Sequence, residues 1–248
     1  MRLRVLIGLG AVLALGLVGS SAFAAKSGGY TCSGGSIPGG TYTSLTVTGN
    51  CMFGGDVTVN GNVTVADGAV LNDHAFSFAD HVVINGNVQV GKDAVLGLGS
   101  YNPFAVHDTT VNGNILANQP RTLYLSFITV HGNVHSNGGS GPGLNFPTKD
   151  NVIDGNLVIQ GWTGLWIGVI RDHVGGNVIF SRNAALDTSV VPGSDSSEIQ
   201  TNVIGGNLIC HDNAPTAQVN QFDGGQVNEI GGNAVGECPP RVVDNPTE

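Results

Sequence analysis

The feature that most constrains this chain is a short motif, a residue followed by Gly-Asn, then an apolar residue that opens an alternating strand. Copies stand at Thr48-Gly49-Asn50, Asn60-Gly61-Asn62, Asn85-Gly86-Asn87, Asn112-Gly113-Asn114, His131-Gly132-Asn133, Asp154-Gly155-Asn156, Gly175-Gly176-Asn177, Gly205-Gly206-Asn207 and Gly231-Gly232-Asn233. The first two asparagines are 12 residues apart and later steps run from 19 to 30, with a mean near 23. A period of this length marks a repeat that cannot bury its apolar face alone and must stack on copies of itself.

The residues around each copy fit one coil of such a stack. The residue before the Gly is Thr, Asn, His, Asp or Gly, and all but Thr tolerate positive φ, which predicts a tight turn with a left-handed residue at each copy. Around Asn62 the chain reads Val57-Thr58-Val59 before and Val63-Thr64-Val65 after, and around Asn87 it reads Val82-Val83-Ile84 and Val88-Gln89-Val90. That period of two predicts strands with one buried face. Val, Ile or Leu follows the Asn in seven copies, with Cys51 and Ala234 as exceptions. Stacking would align the asparagines so that each carboxamide donates to one neighbour and accepts from the other, satisfying amides along the axis. A second echo, Val65-Ala66-Asp67-Gly68-Ala69-Val70-Leu71 and Val90-Gly91-Lys92-Asp93-Ala94-Val95-Leu96, keeps the same offset from Asn62 and Asn87. An antiparallel sandwich would place turns every 8 to 12 residues, about half the observed period. The expected fold is therefore all-β, a parallel β-helix solenoid of about nine coils over 43–238, with a cap segment at 25–42 and a tail at 239–248.

Composition closes off other classes. Charged residues make up 11% of the 248 residues, against about a quarter in an ordinary domain, so helical bundles and coiled coils are disfavoured. With Lys+Arg 9 against Asp+Glu 18, a formal charge of -9 and no basic run, there is no footprint for a phosphate backbone and no nucleic-acid partner is expected. Residues 1–24 read as a secretory signal: Arg2 and Arg4, an apolar stretch Val5 to Val18, and Ala22-Phe23-Ala24 as a small-x-small cleavage site. The tail has neither a hydrophobic segment nor a basic stop, so no membrane anchor is expected. A secreted, extracellular protein follows, with Cys32, Cys51, Cys210 and Cys238 oxidised. Of three possible pairings, Cys32 with Cys51 and Cys210 with Cys238 is the one that closes two short loops. The spacing holds no compact Cys/His cluster, so no metal site is expected among the cysteines.

The stacked x-Gly-Asn-Val coils resemble the parallel β-helix class that includes the pectin lyases, over about residues 43 to 236, and that resemblance implies a right-handed solenoid. The stretch Gly206-Asn207-Leu208-Ile209-Cys210, Asn213-Ala214-Pro215 and Gly236-Glu237-Cys238 is similar to the ending of uncharacterised secreted bacterial β-helix proteins. It implies secretion and fold and carries no catalytic residue across.

Acids on adjacent coils of a β-helix stack at the strand spacing of about 4.8 Å, so a site should show as a polar column. Counting back six or seven residues from the motif asparagines finds Asp80 and His81, His107 and Asp108, Lys149 and Asp150, and Arg171 with Asp172 and His173. Ser126 and Phe127 interrupt it. His107, Asp108, Asp150, Arg171, Asp172 and His173 are the catalytic candidates: paired carboxylates with His or Arg suit proton abstraction next to a uronate carboxyl, or a Ca²⁺ site, the one cofactor considered. The same residues also read as solvated strand starts. Long repeats predict projecting loops at Tyr101 to Phe104, Ser136 to Thr148 and Asp187 to Ser197, and Trp162, Trp166 and Phe146 near the middle one are candidates for stacking on sugar rings. No hydrolase elbow, zinc-protease motif or phosphate loop is present. Two functions compete: a non-catalytic extracellular or cell-surface protein, structural or in contact with extracellular polysaccharide or cell-wall glycan, and a polysaccharide lyase or glycoside hydrolase working on the solenoid face. Oligomeric state is open.

Overall fold

A computed structural model describes residues 28–72, 81–100, 108–140, 144–185, 197–219 and 227–238. Among the described residues every regular element is a strand, arranged in two parallel sheets of 11 and 15 strands. The architecture fits a parallel β-solenoid. One repeat shows how a coil is made. Strand Val82–Ile84 lies in the larger sheet, the Asn85-Gly86-Asn87 turn carries the chain to Val88–Val90 in the smaller sheet, and Val95–Gly99 returns it to the larger. Each strand pairs with its equivalents one repeat away, as in Val63↔Val88↔Ile115↔Val134↔Leu157↔Val178↔Leu208. The larger sheet holds two such rows, joined because strand Asn50–Val59 pairs at its start with Val70–Asn72 and at its end with Val82–Ile84.

The interior follows directly from the alternation. Val63, Val88, Ile115, Val134, Leu157, Val178 and Leu208, each the residue after a motif asparagine, are all 0% exposed, whereas Gln89, Leu116 and His135 at the next position face outward. Two buried rows on either side of the turn form one continuous aliphatic core.

The turn itself differs from expectation. Asn60, Asn85, Asn112, His131 and Asp154 do not have positive φ. The Gly is required by close approach between turns: Gly86 donates its N–H to the Gly61 carbonyl at 3.1 Å, and the same bond links Gly155 to Gly132, Gly176 to Gly155, Gly206 to Gly176 and Gly232 to Gly206. A Cβ on Gly155 would stand 2.6 Å from the Gly132 oxygen and 2.7 Å from Asn133 Oδ1. Gly155→Ala should therefore lower the melting temperature by roughly 3 to 10 °C, the consequence of an overpacking cost of about 1–3 kcal/mol, with Gln89→Ala unchanged; thermal melts of the two variants check this.

The asparagine ladder forms as the sequence implies. The backbone N–H of each asparagine donates to the side-chain oxygen of the one before, from Asn87 onto Asn62 at 2.9 Å, through Asn114, Asn133, Asn156, Asn177 and Asn207, to Asn233 onto Asn207 at 2.8 Å. Between Asn114 and Asn207 the carboxamide N–H donates to the same oxygen at 2.9–3.0 Å. The first copy, at Asn50, is not a rung. Ser44 precedes Leu45, the partner of Val63, so Ser44 takes the ladder position, while Asn50 pairs with Val70 at a different corner. The step of 12 residues was the sign of this.

Both predicted disulfides are present. Cys32–Cys51 spans 6.4 Å between Cα atoms and a separation of 19, and Cys210–Cys238 spans 5.3 Å and a separation of 28. Two disulfides point to a non-reducing environment. Each should contribute about 3 kcal/mol by restricting the unfolded chain, and non-reducing peptide mapping should recover these two cross-linked pairs and no cross-link between the two ends. No helix of the described residues is long and apolar enough to cross a membrane.

Candidate functional site

Two corners away from the motif turns are made by residues with positive φ. One row is Phe127, Asp150, Arg171 and Thr201; another includes Gln119, Arg182 and Asp212; all have φ between 49° and 60°. After each left-handed corner the chain turns inward, so the next residue enters the solenoid. After Asp150, Arg171 and Thr201 these are Asn151, Asp172 and Asn202, each about 1% exposed.

The polar column of the sequence therefore splits between outside and inside. Asp150 and Arg171 share the outer corner and form a bidentate ion pair, Arg171 Nε and Nη2 donating to the two Asp150 carboxylate oxygens at 2.6 and 2.8 Å. The Asp150 carboxylate holds the Arg171 guanidinium above its ordinary pKa. Asp172 lies one position further on and is buried. Its Oδ1 accepts the Asn151 backbone and carboxamide N–H groups at 2.9 Å each, and its own N–H donates to Asn202 Oδ1 at 2.8 Å. Asp172 thus occupies an asparagine's place in a second ladder, Asn151, Asp172, Asn202 and Asn228.

In that ladder the asparagines also donate their amide N–H across the corner, Asn151 to the Leu125 carbonyl and Asn202 to the Val169 carbonyl, both at 2.9 Å, and Asn228 to the Ile199 carbonyl at 2.6 Å. An ionised aspartate has no such hydrogen to give. Asp172 Oδ2 and the neighbouring Thr148 Oγ1 are buried without a well-formed hydrogen bond. Burial pushes the Asp172 carboxyl up to about 7, with Asp150 adding to the rise and Thr148 and Asn151 opposing it. The expectation that Asp150 and Asp172 stand together on the solvent face is corrected: the left-handed corner sends them to opposite sides of the backbone.

The remaining candidates are dispersed. His173 faces outward between Val152 and Val203 in the next row. Asp108 is half-buried ahead of strand Thr109–Val111. His107 and Asp80 lie outside the described residues. No group of three or more His, Cys, Asp or Glu among the described residues is placed to hold a metal ion, and nothing brings Asp108, Asp150 and Asp172 together around Ca²⁺.

The aromatic reading also changes. Trp162 is 0% exposed and cannot offer its face to a sugar. It fills the inner corner, its Nε1–H donating to Ser136 Oγ at 3.0 Å and its backbone N–H to Asn183 Oδ1 at 3.0 Å. Its indole lies on Gly139, where an added Cβ would come 2.5 Å from the ring. Trp166 is half-buried in strand Trp166–Ile170. Phe146 belongs to strand Leu144–Lys149, and its side chain is outside the described residues. Of the expected loop from Ser136 to Thr148, the described parts are largely strand, through Gly139 and from Leu144, and Ser136 and Thr148 are both 0% exposed, while 141–143 lie outside the described residues. Tyr101 to Phe104 and residues 187–196 lie outside the described residues.

What the sequence did not single out is a shallow depression of about 290 Å³ bounded by Gln119, Asn137, Gly138, Gly161 and Arg182. A second, of about 340 Å³, is bounded by Thr64 to Asp67, Gln89 to Gly91, Leu116 and Asn118. No protein-family model matches the chain, and neither does any curated protein or solved structure.

Proposed function

We propose that the chain is a secreted, right-handed parallel β-helix of about nine coils, pectin-lyase-like in architecture, that contacts extracellular or cell-wall polysaccharide without cleaving it. The handedness rests on the strong right-handed preference of parallel β crossovers, and secretion on residues 1–24 together with two disulfides.

One observation carries the non-catalytic reading. The two carboxylates best suited to act as acid and base are engaged in the fold, Asp150 by both guanidinium bonds of Arg171 and Asp172 by burial in the ladder. General acid–base cleavage needs two groups converging on one bond from a surface the substrate reaches. Binding needs only outward-facing polar groups, and the solenoid offers many. The competing reading, a lyase or hydrolase, rests on likeness of fold, which does not fix activity. Affinity electrophoresis of the protein in gels containing amylose, xylan, a mixed-linkage β-glucan or polygalacturonate tests contact directly. Retardation by at least one polymer is the expected result; unaltered mobility in all four would overturn the proposal.

A further inference from the structure

The two depressions on the outer face are neighbours, and the register explains why both exist. On the smaller sheet the second outward row runs Ala66, Gly91, Asn118, Asn137, Gln160; Asn118 pairs with Asn137 and Asn137 with Gln160. The next position, at the corner, runs Gln119, Gly138, Gly161, Arg182. The depressions fall where small residues stand in rows that elsewhere carry long polar side chains: Ala66 and Gly91 at one end, Gly138 and Gly161 at the other. Glycine is not demanded at the corner by backbone conformation alone, because Gln119 and Arg182 hold the same left-handed φ. A Cβ on Gly161 would also find ordinary space, with Gly138 N at 3.6 Å. The space above Gly161 is thus a gap in a row of side chains rather than a packing requirement.

The two depressions meet at Asn118 and Gln119 and cross the strands that begin at Val63, Val88, Ile115, Val134, Leu157 and Val178, a run of about 24 Å at the strand spacing. Its polar walls are carboxamides. Gln160 donates to Asn137 at 3.2 Å and accepts from Arg182 Nη2 at 3.2 Å, so the amides are held in a linked strip. Carboxamides both donate and accept, as hydroxyl groups do. The apolar part of the floor includes Leu116, 42% exposed, which suits the C–H face of a sugar ring. Its lining carries one acid, Asp67, and one base, Arg182, at opposite ends, so the amide-walled stretch between them holds no formal charge, and the whole chain carries -9.

We infer that this oblique groove, from Thr64 and Asp67 to Arg182, is the binding site for an extended, uncharged polysaccharide lying along the solenoid axis. The inference rests on the polysaccharide-contact reading above and names its site and ligand class. The strand spacing is close to the rise of one sugar residue in an extended chain, so successive rungs present successive amides to successive sugars.

The test measures retardation by amylose, xylan, mixed-linkage β-glucan and polygalacturonate for the wild type, Gly161→Asn, the double variant Asn118→Ala/Asn137→Ala, and Thr129→Ala on the larger sheet as control. Asn is chosen at 161 because it tolerates the left-handed region. The wild type should be retarded by a neutral polymer, with apparent Kd raised at least fivefold in Gly161→Asn and in the double variant and unchanged in Thr129→Ala. If Gly161→Asn loses its far-UV spectrum, the double variant decides. Retardation by a neutral polymer that neither variant weakens overturns the groove and leaves polysaccharide contact standing. Stronger retardation by polygalacturonate overturns the ligand class. Failure of all four polymers to retard the wild type overturns both readings together.

Discussion

Replacing Asp172 by Asn should stabilise the protein by about 4 kcal/mol at pH 8 and remove a pH dependence that the wild type carries between about pH 4 and 7. The carboxyl is raised from an ordinary 3.8 to about 7 by burial, and each unit of such a shift corresponds to about 1.4 kcal/mol. Below about pH 4 the group is protonated both folded and unfolded, and the neutral acid fits the ladder at no ionisation cost. Between about 4 and 7 the unfolded chain releases its proton while the folded one keeps it, so stability falls as pH rises; above 7 both are ionised and the loss is complete. Asparagine has the same shape, does not titrate, and restores the amide donor that Asn151 and Asn202 supply to the Leu125 and Val169 carbonyls on neighbouring rungs. Urea denaturation of both proteins at pH 4, 5, 6, 7 and 8 measures this, since the difference between the curves cancels every other titrating group. The curves should meet near pH 4 and diverge upward to pH 7. Parallel curves would show that the Asp172 carboxyl titrates alike in the folded and unfolded chain, so that burial does not raise it.

Val88→Asp or Val178→Asp should prevent folding, whereas Gln89→Asp should leave the protein folded and stable. Both valines are 0% exposed in a column whose vertical neighbours are aliphatic, Val63 and Ile115 around Val88, Leu157 and Leu208 around Val178. An unpaired buried carboxylate costs several kcal/mol, a large part of a domain's whole stability. Gln89 faces solvent between Thr64 and Leu116. The yield of folded protein separates the three; equal yields would place the strand register one residue out.

The register of Val88 and Gln89 was legible in the sequence because strand alternation has a fixed period. So was the asparagine ladder, because the motif repeats once per rung. The corners were not legible in the same way. Asp150 and Asp172 differ by one position relative to the motif, and the left-handed conformation of the first of those positions turns that difference into outside against inside; residue type does not announce it, since Phe127, Asp150, Arg171 and Thr201 share the conformation. A signal was present nonetheless: Asn151, Asp172 and Asn202 recur at one offset from the motif, as the ladder asparagines do. Trp162 reads as a surface aromatic until Gly139 is placed beneath it by the pairing of their strands. The role of the motif glycine also depends on stacking, since the atoms a Cβ would strike belong to the previous rung. The groove becomes visible only when Ala66, Gly91, Gly138 and Gly161 are compared with their partners across the rungs.

We propose that Asp150 and Asp172 serve the fold and not a reaction. Incubating the purified protein with polygalacturonate, alginate and xylan while following new reducing ends and unsaturated uronate ends tests it in one measurement, with Asp150→Asn and Asp172→Asn run alongside. No release above a no-protein control is the predicted result for all three proteins. Release by the wild type that disappears in either variant while its fold is retained would make the polar column an active site and contradict the account.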